Sequence, residues 1–123
     1  MKICSICGEE KNDKEFNRNG NHIRKDCKAC NYISKERSQA LRRAEKYAWV
    51  RGFKSKGCQV CGESRIHCLD LHHMDPTDKE YQIAKICSGG ANIKTLIREA
   101  SKCIVLCANC HRDLHFNERS PGL

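Results

Sequence analysis

The chain has 123 residues, of which 39% are hydrophobic, 6% aromatic and 31% charged, with 11 cysteines and a formal charge of +8. That length fits one domain with a short appended module, and so thin an apolar complement calls for a staple beyond a hydrophobic core. No apolar run approaches the roughly 18 residues needed to cross a bilayer, no apolar leader follows Met1, and the cysteines come in pairs, so metal ligation in a reducing, cytoplasmic setting is expected over disulfides or a membrane.

Residues 1–30 carry two CxxC pairs, Cys4/Cys7 and Cys27/Cys30, with 19 residues between them. The spacing predicts a zinc ribbon whose four thiolates close a structural tetrahedron. Gly8 suits the turn after the first pair, and Asn19-Gly20 predicts a hairpin between the pairs.

Residues 31–56 are expected to form a basic linker helix. From Arg24 to Lys56 there are 11 Lys/Arg against 3 Asp/Glu, no proline and one interior glycine, Gly52. Ile33, Leu41, Ala44, Ala48 and Trp49 recur at helical spacing. Such a strip either is a solvated face or follows phosphates, and Lys35, Arg42, Arg43, Lys46 and Arg51 are its candidate DNA contacts, with Tyr47 and Trp49 adding area. Eight thiolates holding two Zn²⁺ would reduce the net charge to about +4, so the placement of charge carries this argument more than its total.

Residues 57–123 form the third segment. It opens with Cys58 and Cys61 between glycines. Leu69-Asp70-Leu71-His72-His73-Met74 alternates as a strand until Pro76. Ile93, Leu96, Ile97 and Ala100 mark a short amphipathic helix after Gly89-Gly90. Residues 103–106 predict a second strand, and a final helix begins at Cys107 and runs through His115. Cys58, Cys61, Cys107 and Cys110 are a second candidate zinc quartet, pinning the two ends of this β-β-α segment. Cys68, Cys87 and Cys103 alternate with apolar neighbours and read as small buried hydrophobes.

Five of the six histidines lie in this segment. His111 and His115, four apart, share a helix face and can bind one ion. His72 and His73, adjacent on a strand, point to opposite sides.

Together, Cys58-x-x-Cys61, Leu71-His72-His73-Met74-Asp75-Pro76 and Leu106-Cys107-Ala108-Asn109-Cys110-His111-Arg112-Asp113-Leu114-His115 resemble the HNH endonucleases of the ββα-metal type. The leading ribbon and basic helix are similar to those of small phage-encoded members. The resemblance implies a small α+β, zinc-stabilised fold, with an HNH unit preceded by a zinc ribbon and a basic helix. It implies a DNA-cleaving phosphodiester hydrolase with two structural Zn²⁺ and one catalytic divalent ion (Mg²⁺, Mn²⁺, Ni²⁺ or Zn²⁺), in a bacterial or phage-infected cell. On that pattern His73 is the general base, and His72, His111 and His115 are ligands of the catalytic ion. Arg112 is placed to hold a phosphate or to sit as a solvated helix arginine. The family's middle Asn stands nine residues before the position of His111, where this chain has Lys102; in the family that Asn braces a loop and orients the base. The competing expectation is a zinc-dependent nucleic-acid-binding or packaging accessory without catalysis.

Overall fold

The computed structural model describes residues 1–119 and divides into two compact units, Met1–Leu41 and Arg42–Leu123. Four α-helices and three two-stranded sheets make an α+β protein over the described residues.

In the first unit, β1 (Lys2–Ile3) and β2 (Glu10–Lys11) pair antiparallel around the Cys4–Cys7 turn. Next, β3 (Phe16–Asn19) and β4 (His22–Cys27) form the expected hairpin. Gly20 sits at its tip with φ +65°, a left-handed conformation that glycine adopts without steric cost. Cys4, Phe16 and Cys27 are buried together, with Ile23 and Cys30 against them. Helix α1 (Lys28–Lys54) begins directly after Cys27, so Cys30 lies in its first turn. Three of these five residues are cysteines, so the sulfur cluster occupies the core of the unit.

The boundary between the units falls within α1, after Leu41. Ile33 and Leu41, part of the helical stripe read from the sequence, are exposed. The face that packs belongs to the second unit: Val50 is buried, and Trp49 and Phe53 stack with ring centroids 5.4 Å apart. Lys46 is also on that face. Its side chain is buried, and Nζ donates to the carbonyls of Ile86 (2.6 Å), Gly89 (2.8 Å) and Ala91 (2.8 Å). Lys46 is thus corrected from a phosphate contact to a helix cap. An ammonium has three donors, all three are used, and they satisfy the carbonyls at the C-terminal end of the helix that follows.

That helix, α2 (Ile83–Ser88), was not expected from the sequence. It lies between β5 (Leu69–His73) and α3 (Ile93–Ala100), whose N-cap Asn92 accepts a hydrogen bond from the Thr95 amide. Strand β6 (Cys103–Cys107) pairs antiparallel with β5, in register from Leu69 opposite Cys107 to His73 opposite Cys103. Helix α4 (Ala108–Arg119) follows without a break. One core cluster gathers Cys58, Leu69, Val105, Leu106 and Cys107; a second gathers Val50, Ile86, Cys87 and Leu96. The Cys58–Cys61 turn needs glycine at position 57, where φ is +78° and a Cβ would stand 3.0 Å from the Glu63 carbonyl oxygen. No described helix is long and apolar enough to cross a membrane.

Candidate metal centre and active site

Three groups of side chains converge as metal-ligand sets: Cys4, Cys7, Cys27 and Cys30; Cys58, Cys61, Cys107 and Cys110; and His72, His111 and His115. Within each, one donor atom per residue lies within 4.8 Å of all the others.

The two sulfur quartets fit zinc by donor type and spacing. Cys61 and Cys107 Sγ are 3.6 Å apart, against about 3.8 Å for two sulfurs at tetrahedral angles on one zinc. Amide groups already point at the sulfurs: Cys27 N and Ile6 N donate to Cys4 Sγ at 3.2 and 3.4 Å, and Val60 N to Cys58 Sγ at 3.4 Å. The Cys27 amide, foremost, holds the Cys4 thiol down at about 6. For Cys58 burial pushes upward, yet amide donations from Cys61, Cys107 and Val60 bring it to about 6 as well. Hydrogen bonding to Cys27, foremost, pushes Cys30 up to about 12, and Cys107 likewise raises Cys110. Four sulfurs this close cannot all ionise against one another, and a divalent cation replacing their protons removes that conflict. Both sites could hold structural zinc, one in each unit.

The histidine set is built by β5 and α4. His72 projects from β5, while His111 and His115 stand one turn apart on α4. His72 Nδ1 is 3.2 Å from His111 Nε2, which is 3.0 Å from His115 Nε2. An ion bonded to each nitrogen at about 2.0–2.1 Å requires neighbouring ligands about 2.9–3.4 Å apart, so both separations suit a shared cation. Burial, foremost, and the adjacent His111 and His115 hold the His72 imidazole below its ordinary range, which favours the neutral, ligating form. Asp70, two residues before His72 on the same strand, places Oδ2 3.2 Å from His111 Nδ1. A carboxylate there fixes the Nδ1–H tautomer and leaves Nε2 as the donor to metal.

His73, next along β5, turns the other way. Its Nε2 is 3.0 Å from Oε2 of Glu99 on α3, and both side chains are buried. The other Glu99 oxygen accepts from Lys102 Nζ at 3.0 Å and from the Glu80 amide at 3.2 Å. Lys102 Nζ also donates to the Asp78 carbonyl at 2.8 Å. Burial, the largest influence, pushes the Glu99 carboxyl up, but these three donors outweigh it and bring it below its ordinary value.

Asp70 and Glu99 were not singled out from the sequence. Their signals were an acidic residue at i−2 to His72 on an alternating strand, and one at i−3 to the unexpected Lys102. Of the basic residues singled out, Lys35, Arg42, Arg51 and Arg112 are exposed, Arg43 is half-buried, and Lys46 is committed to α2.

Fold and site together define a small α+β protein with two cysteine quartets able to hold zinc and a three-histidine centre beside a buried His–Glu pair. No protein-family model matches the chain, and no solved structure matches it. It is similar to the type IV methyl-directed restriction enzyme EcoKMcrA of Escherichia coli strain K12, with 31% identity over 77 residues. The match takes in 62% of this chain and 24% of that enzyme, so the chain spans about a quarter of the length of the curated relative it matches.

Proposed function

We propose that this protein is a metal-dependent DNA endonuclease of the HNH, ββα-metal type, with β5, β6 and α4 as the catalytic unit. The reading is carried by one observation, the three imidazole nitrogens of His72, His111 and His115 gathered at ligand spacing beside a separately held histidine. Similarity to a restriction enzyme supports it.

His72, His111 and His115 would hold a divalent ion, which when bound would supply Lewis-acid stabilisation of the charge that builds on the phosphate and the departing oxygen. The chain's own residues do the rest. His73 takes a proton from the attacking water, a task suited to a neutral imidazole. Asp70 keeps His111 in its ligating tautomer. Arg112, one residue beyond His111, and the exposed Lys35, Arg42 and Arg51, with Arg43, hold the sugar-phosphate backbone without reading sequence. Hydrolysis on this pattern leaves 5′-phosphate and 3′-hydroxyl ends. A three-nitrogen site accepts Ni²⁺ or Zn²⁺ more readily than Mg²⁺.

Supercoiled plasmid incubated with the zinc-loaded protein and Mg²⁺, Mn²⁺ or Ni²⁺ tests the proposal. Wild type converts it to nicked or linear form, and His73→Ala reduces that rate by about 10²–10⁴-fold. Equal rates in the two proteins would eliminate His73 as the base. Binding without cleavage under every metal would leave a zinc-dependent DNA-binding accessory as the better account.

A further inference from the structure

We infer that Glu99 is the positioning residue for His73, and that the Glu99–Lys102 pair performs here the loop-bracing and base-orienting work expected of an asparagine at position 102. The inference rests on the endonuclease reading for its catalytic consequence, but its structural content stands separately.

Glu99 has no accessible surface, and a buried carboxylate persists only where it is fully paired. Its partners are His73 Nε2, Lys102 Nζ and the Glu80 amide. An ionised carboxylate can only accept, so the hydrogen shared with His73 must sit on Nε2. That leaves the Nδ1 lone pair as the one free base on the ring. Lys102 neutralises the carboxylate from its other side and ties it to the Asp78 carbonyl, bracing the segment after β5 from the far end. The Met74 amide, donating to the Lys102 carbonyl at 3.1 Å, extends the same tie along the backbone.

A water O–H bond breaks as Nδ1–H forms, and the oxygen's electron pair makes the new bond to phosphorus. The P–O3′ bond breaks, and O3′ keeps its electron pair and takes a proton from solvent. The imidazolium so formed still donates Nε2–H to Glu99, whose negative charge favours it, as the buried acid does in hydrolase triads. A purely structural Glu99 would affect folding but leave kcat of the folded protein unchanged.

Nitrogen-15 spectra of the zinc-loaded protein, with His73 assigned by comparison with His73→Ala, test this directly. Wild type is expected to show a hydrogen-bearing Nε2 and a bare Nδ1, with the Nε2 proton far downfield because its acceptor is charged. In Glu99→Gln that proton moves upfield or is lost, and kcat falls about 10–100-fold with KM unchanged. A proton on Nδ1 in the wild type would overturn the inference, as would a Glu99→Gln protein with wild-type kcat. Should that variant fail to fold, a proton on Nδ1 in the wild type still overturns the inference, and kcat of Glu99→Asp, which keeps the charge, supplies the second comparison. If wild type cleaves no DNA, the endonuclease reading falls while the spectrum still answers for the pair.

Discussion

Replacing Lys46 with methionine separates a helix cap from a phosphate contact. Methionine preserves much of the aliphatic stem and deletes the ammonium, which donates to three carbonyls and is itself buried. A hydrogen bond from a charged donor contributes about 1.5–3 kcal/mol, and a buried acceptor left without a partner costs about 1–3 kcal/mol. The bond to Ile86 is buried, so that carbonyl is left without a partner; those to Gly89 and Ala91 are partly exposed, and water can replace the lost donor. Against this, removing a buried charge recovers part of its desolvation cost. The net loss should be about 2–4 kcal/mol, or roughly 10–25 °C in Tm for a unit of this size. Thermal melting of the zinc-loaded variant measures it. DNA binding over a salt series supplies the second readout. Arg42→Ala should reduce the salt slope by about one, whereas Lys46→Met should leave it unchanged. A Lys46→Met protein with wild-type melting and a shallower salt slope would refute the assignment.

Asp70→Asn should weaken divalent-ion binding at the three histidines about 10–100-fold without altering the content of the sulfur sites, as read by metal titration and elemental analysis. Cys27→Ser should cost one zinc and the folded signals of the first unit, whereas Cys107→Ser should cost the other zinc and those of the second, because each cluster lies in its own core. Glu99 sets an acid limit on stability. Its folded value is below the ordinary 4.5, so its contribution is complete above 4.5 and is lost as pH falls through the lower folded value. Urea denaturation of wild type across that range should weaken toward acid, and Glu99→Gln should show a flatter profile.

Local signals in the chain were legible and distant ones were not. The Asn19-Gly20 hairpin, the CxxC turns, the basic helix and the alternating strand through His72 each depend on a few neighbouring residues, and each is present. The helix runs Lys28–Lys54, starting three residues before the 31–56 span that the sequence predicts. Helix α2 escaped notice because six residues with no side-chain N-cap carry little signal; its end is capped by Lys46, forty residues away. For the same reason the sequence places Lys46 among the phosphate contacts: charge pattern along a helix does not reveal which ammonium lies on the packed face. His111 and His115 were readable as a pair from their spacing, but Asp70 meets His111 across 41 residues and Glu99 meets His73 across 26. Those carboxylates become visible only when β5, α3 and α4 are packed together.

Calorimetric titration of Ni²⁺ into the zinc-loaded protein addresses the histidine centre on which the whole mechanism depends. One additional site per chain is predicted in the wild type, abolished in His111→Ala while both zincs are retained. No additional binding, or the same binding in His111→Ala, would contradict it.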